Sequence, residues 1–189
     1  RARTLLDDAR GALADKRFEE AFRLAIESES YSRRVIGGWG SDEGGDASFI
    51  FVDGDVGLQR AGRSNFETAR QRQPLFDGDF IRTGRNGSAE VMFSDGTLFT
   101  IRPGSLFEVR RPSASDAHGS EVKMVSGAVN VYTSASPSTI ATDDATAAVE
   151  RDSRVSVDVK QGEKTEVTTY RGKATVSTGA NTVVLEDRD

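Results

Sequence analysis

Cysteine is absent from the chain, histidine occurs once and proline four times in 189 residues. The lack of cysteine excludes a disulfide framework, thiolate metal sites and cysteine nucleophiles together. The lone His118 has no second histidine or cysteine to complete a metal cluster. It sits in the polar run RPSASDAHGS at 111–120, so a solvent-exposed loop residue is expected. No stretch approaches the roughly 18 consecutive apolar residues of a membrane-spanning helix. The net charge is −5 and no segment is strongly basic, so a surface that tracks nucleic-acid phosphates is not expected. There is no G-x-S-x-G elbow, and GRNGSAE at 84–90 lacks the Lys-Ser/Thr pair of a phosphate loop and runs into a strand. No catalytic residues, cofactor or metal site are therefore expected. The chain starts at an arginine, and an upstream targeting or anchoring segment is expected.

What is present divides into three parts. Residues 1–36 read as a helical hairpin, with Leu5, Leu6, Ala9, Ala12 and Leu13 on one apolar stripe and Phe18, Ala21, Phe22, Ala25 and Ile26 on another. One such pair cannot bury both its faces alone, so Leu13, Phe18, Phe22 and Ile26 are a candidate assembly face for self-association. Residues 37–48, GGWGSDEGGDAS, hold five glycines and three acids, which marks a flexible linker with Trp39 as its one adhesive side chain. Residues 49–189 carry strand periodicity throughout, clearest at 154–160, where Val155, Val157 and Val159 alternate with polar residues.

Further strands are expected at 49–52, 55–60, 79–83, 88–94, 97–102, 105–110, 121–125, 128–133, 138–142, 146–150, 164–170, 173–177 and 182–186. Short strands divided by DG, TG, QGE, RGK and TGAN predict a mainly β domain, a two-layer roll or sandwich or a short β-helix. Leu75, Ile81, Ala89, Val91, Phe93, Val155, Val157 and Val159 fall on the inward phase. At Asp95-Gly96 a strict two-residue turn would split the apolar residues between two faces. Either a glycine bulge adds one residue, or both faces of this hairpin are covered. The steps Gly54–Leu58, Gly127–Val131 and Gly172–Val176 share a Gly-x-(Val/Ala)-x-(Leu/Val) pattern, read as related corners where glycine takes positive φ. Asp53, Asp55, Asp77, Asp79 and Asp95 adjoin glycines without the ligand cadence of a calcium loop, so a role in turns is expected.

The elements Gly54–Leu58, Gly78–Gly84 (GDFIRTG), Ala89–Thr97 (AEVMFSDGT) and Pro103–Val109 resemble, in order and separation, the FecR domain of bacterial envelope proteins. The strands at 127–131, 139–142 and 165–185 fit more loosely, so the resemblance covers about residues 49–187. The run ALADKRFEEAFRLAIES is similar to the middle of a tetratricopeptide unit. The FecR resemblance implies a β domain outside the cytoplasm and a binding role with no catalytic residues; some members relay a signal from an outer-membrane transporter to a sigma factor. This chain differs from those relays in having a helical hairpin and glycine linker where they have a cytoplasmic helical domain and a membrane span.

The first expectation is accordingly a periplasmic binding or scaffolding module, non-enzymatic, that holds an envelope protein or peptidoglycan. The second is the periplasmic part of a transmembrane relay controlling a sigma factor. A carbohydrate-active enzyme ranks last, since no pair of carboxylates stands out. Arg82, Arg85, Arg102 and Arg110, which flank the most family-like strands, are the candidate partner-binding residues together with Trp39.

Overall fold

The structure, a computed structural model, describes residues 2–15, 20–21, 25, 45–111, 119–160, 164–179 and 181–187. The chain divides into two compact units, Arg1–Gly44 and Gly45–Asp189. In the first, α1 (Ala2–Ala14) buries Ala9 and Ala12, while Leu6 is exposed and Leu13 is 56% exposed. The inward stripe is thus narrower than the sequence pattern implies. Glu20, Ala21 and Ala25 are also helical. The rest of the expected second helix, with Phe18, Phe22 and Ile26, lies outside the described residues, as do Trp39 and His118.

The second unit is mainly β. Its fifteen strands among the described residues are β1 (Ala47–Asp53), β2 (Val56–Gln59), β3 (Glu67–Thr68), β4 (Pro74–Leu75), β5 (Phe80–Thr83), β6 (Ser88–Phe93), β7 (Leu98–Ile101), β8 (Leu106–Arg110), β9 (Ser120–Tyr132), β10 (Ser138–Ala141), β11 (Thr146–Val149), β12 (Arg154–Val159), β13 (Glu166–Arg171), β14 (Lys173–Thr178) and β15 (Asn181–Glu186). They form two layers. One runs β4-β1-β6-β7-β9-β12-β13. The other runs β3-β2-β5-β8-β9-β10-β11-β14-β15. All pairs are antiparallel except β9 with β10, which is parallel.

β9 belongs to both layers, and the sequence shows why it can. Its first half, up to Ser126, pairs with β8 and β10, and its second half, from Gly127, with β7 and β12. Val122 and Met124 are buried before the crossing and Val129 and Val131 after it, so the inward phase slips from even to odd numbers. Gly127 absorbs the slip at φ 92°, a conformation costly for any residue with a Cβ. Two expected strands, 121–125 and 128–133, are therefore one bent strand.

Each layer turns one alternating face inward, and the two faces make a single core. All eight residues expected there, from Leu75 to Val159, are buried. Phe99 stands at its aromatic centre, 5.1 Å from Phe93 and 5.5 Å from Phe107 between ring centroids. The β6–β7 hairpin shows both expected features, an added loop residue and, with Met92 and Leu98 buried on the face away from the core, cover on both faces. Phe93 pairs with Thr97 across Ser94, Asp95 and Gly96, and Gly96 lies at φ 89°. The three-residue connection keeps Ala89, Val91 and Phe93 on the same face as Phe99 and Ile101.

The three glycine steps do share positive φ, at Gly54, Gly127 and Gly172 (65°, 92° and 77°). Two of them belong to corners built alike. In the first, Thr83 Oγ1 donates to the Arg102 carbonyl at 2.6 Å and accepts from Ser105 N at 2.9 Å; Ser105 Oγ accepts from Ala128 N at 3.0 Å. In the second, Thr133 Oγ1 donates to the Glu150 carbonyl at 2.5 Å and accepts from Ser153 N at 2.9 Å; Ser153 Oγ accepts from Lys173 N at 3.0 Å. A Cβ on Gly127 would collide with Ser105, and one on Gly172 with Ser153. The roll thus repeats a threonine, serine and glycine corner, which satisfies buried backbone groups where the chain changes direction.

Candidate interaction surface

Strand register brings together residues far apart in sequence. On the face of the first layer turned away from the core, Met92 pairs with Leu98, Leu98 with Tyr132, and Tyr132 with Arg154; Met92 and Leu98 are buried, while Tyr132 and Arg154 are half-buried. The next row is Glu90, Thr100, Asn130, Ser156 and Thr168. A bulge between Arg154 and Val155 leaves Tyr170 as the extra residue of β13, turned outward and 53% exposed. The Arg154 guanidinium carbon lies 5.1 Å from the Tyr132 ring centroid and 5.3 Å from that of Tyr170. Beside it, Arg102 Nη2 donates to Asn130 Oδ1 at 3.0 Å. Burial pushes the Glu90 carboxyl above its usual range.

Tyrosine and arginine held in place on a strand face are the residue types that dominate protein interfaces, because they offer large contact area with few rotamers to freeze. Sequence reasoning missed Tyr132, Arg154 and Tyr170. The signal for two of them was present in the alternation, since Val129, Val131, Val155 and Val157 point inward and so Tyr132 and Arg154 point outward. Their adjacency was not, because it depends on β9 pairing with β12.

The four arginines expected to form one face are placed differently. Thr83 and Gly84 bond to Arg102 and Gly104, so the first corner gathers the backbones of Arg82, Arg85 and Arg102. Their side chains diverge. Arg82 stacks on Phe66 at 4.8 Å and Arg102 reaches Asn130, while Arg85 is exposed in the turn before β6. Arg110, at the end of β8, pairs with Glu108 at 3.2 Å.

Three of the aspartates beside glycines, Asp77, Asp79 and Asp95, accept backbone N–H groups, some within a turn and some from distant segments. Asp95 Oδ1 accepts from Thr97 N, and Asp77 Oδ1 from Arg111 N. Asp79, 1% exposed, accepts from Ala61 N at 3.1 Å, Phe76 N at 3.0 Å and Arg60 Nη1 at 2.6 Å. Arg111 is held above its usual range by its hydrogen bond to Asp46 and by the charge there. Among the described residues no three His, Cys, Asp or Glu side chains cluster as a metal site would need, and no helix is long and apolar enough to cross a membrane.

Residues 79–175, more than half of the chain, match the family described as FecR protein. The chain belongs to the FecR family. The match starts in the GDFIRTG element and ends in β14, and it includes Arg102, Tyr132, Arg154 and Tyr170. It does not reach α1 or the tetratricopeptide-like run. β1, β2 and β15 lie outside it, yet each pairs with a FecR-matched strand. Two crystal structures of a candidate anti-sigma factor from Parabacteroides distasonis, at 1.65 and 2.50 Å, are each 20% identical with a TM-score of 0.49. The likeness covers 57% of this chain and 51% of that one, so the chain spans about half the length of those proteins. No curated protein matches the chain.

Proposed function

We propose that the β unit is the partner-binding, extracytoplasmic part of a signal relay that controls a sigma factor, and that it acts by binding a protein and not by catalysis. FecR-family membership across residues 79–175 carries this reading. It favours the relay over the holding role that the sequence placed first. The outward face around Tyr132, Arg154 and Tyr170 is the partner surface in this reading, with Arg102 and Asn130 at its border. A peptidoglycan partner gripped by one cationic face has less support, because the arginines named for it point to different neighbours.

The test is genetic. Arg154→Ala with Tyr170→Ala is introduced into the chromosomal copy in the native host, and transcripts are measured beside a deletion strain. The relay reading expects one sigma-dependent set of transcripts to change in both strains, with the variant protein at its normal level. Unchanged transcription in both, under conditions where the protein is made, refutes it.

A further inference from the structure

We propose that β15 is a self-pairing edge, through which two copies of the chain join their outer layers into one continuous antiparallel sheet. Among the described residues β15 is the last strand of its layer, with β14 on one side only. Thr178 pairs with Asn181 across the hairpin, and at its far end Asp187 N donates to the Gly172 carbonyl at 3.1 Å. Antiparallel pairs alternate between bonded and non-bonded, so Asn181, Val183, Leu185 and Asp187 bond inward to β14. The N–H and C=O groups of Thr182, Val184 and Glu186 therefore point out along the edge.

This edge has few of the usual protections. It has no proline and no lysine, its one acid in the inward phase, Asp187, lies past the end of the strand, and it carries apolar side chains on both faces. Val183 is 54% exposed and Val184 52% exposed. Val183 shares the inward face with Ala174 and Val176, and although β13 lies close to β15, the exposure of Val183 leaves the core open at that residue. An added strand at β15 extends the sheet, and a second copy also brings its own facing layer.

The identity of the occupant follows from the register. An antiparallel pair with its two-fold axis on Val184 sets Val184 against the partner's Val184, Val183 against the partner's Leu185 and Thr182 against the partner's Glu186. Asn181 then faces the partner's Asp187. Every residue from 181 to 187 gains a counterpart, the apolar residues meet one another, and both acids meet neutral polar groups. An axis two residues later sets Glu186 against the partner's Glu186, which like charge disfavours. The axis stands perpendicular to the sheet, so both inward faces lie on the same side and the two open cores adjoin. This interface is independent of the relay reading.

The full chain is tested by sedimentation equilibrium, with Leu13→Glu as background to remove any association through α1. The proposal expects a concentration-dependent dimer. Val184→Pro deletes an N–H that β14 does not use, and Val184→Lys adds a charge on the axis; each should weaken the dimer by about tenfold or more while circular dichroism and the monomer's melting point hold. Because the chain has no cysteine of its own, Val184→Cys should oxidise to a disulfide dimer, the axis holding the two Cα atoms about 5.5 Å apart. Ser177→Cys, exposed on β14, is the control. A monomer at high concentration overturns the proposal. So does a dimer that survives both Val184 changes, or a Val184 cysteine that crosslinks no faster than the control.

Discussion

The two ends of the roll are finished in opposite ways. At the first end a buried carboxylate ties the loops down. Asp79 takes three donors, and Arg60, which bridges to the Pro74 carbonyl at 3.0 Å, stacks over Phe76. Asp46 meets both Arg111 and the Asp77 amide there, and the core beside this end holds Phe49, Phe99 and Phe107. At the last end the core residues are mostly valine and alanine, and the charged side chains make exposed ties: Asp144 to Thr165, and Lys173 to Glu150 at 3.6 Å. Exposed ion pairs contribute little, whereas a buried carboxylate with three donors fixes a geometry. One fold therefore has a locked end and an end left available, and stability should follow the same gradient.

The largest test of that gradient is Phe99→Ala, expected to cost about 3 to 5 kcal/mol in denaturant unfolding, the range for a fully buried aromatic. Val183→Ala, at the other end, should fall within about 0.5 kcal/mol in the monomer. Similar losses at both sites would erase the contrast.

Next comes Asp79→Ala. It strands the Ala61 and Phe76 amides and one arginine, and should cost about 1 to 3 kcal/mol, with amide exchange quickening in β4 and β5 before β14 and β15 respond. Uniform quickening would mean that the carboxylate serves the whole domain and not its own end.

The two corners sharpen the comparison. Ser105→Ala leaves the Ala128 amide without its acceptor, and Ser153→Ala does the same to Lys173, so each should cost about 1 to 2 kcal/mol, Ser105 the more because its corner is the more buried. A neutral Ser153→Ala beside a costly Ser105→Ala would show that only the first corner braces the chain.

The smallest effect is set by pH. Hydrogen bonds from the Thr165 hydroxyl, the Thr165 amide and the Thr142 hydroxyl hold the Asp144 carboxyl down at about 2. A depressed folded-state value stabilises above the ordinary carboxylate range near 3.9, and that contribution disappears as pH falls toward 2. Asp144→Asn should flatten this part of the stability profile between about pH 4 and 2, by little, since the group is exposed. A profile identical to the parent's would show that the Thr165 bonds do not persist in solution.

Local chemistry in this chain was readable, and relations between distant strands were not. Alternation placed Val155, Val157 and Val159 correctly, and the Asp95-Gly96 problem had its solution among two stated options. β3 and β4 went unseen because two-residue strands such as Glu67-Thr68 carry no period. The glycines of the repeated corner were readable as related steps, but its threonines and serines were hidden by loops of unequal length, since they recur at different spacings. The Tyr132, Arg154 and Tyr170 cluster needed a register that no single segment encodes.

The shared strand β9 makes the domain a mechanical linkage. About 40 Å of unbroken backbone runs from Ser120 to Tyr132, at the usual rise per residue. Its peptide bonds are far stiffer in tension than any packing contact. A partner that shifts Tyr132 along the strand axis must drag Val122 and its neighbours on β8 and β10, as a connecting rod carries the stroke of a piston from one side of an engine to the other.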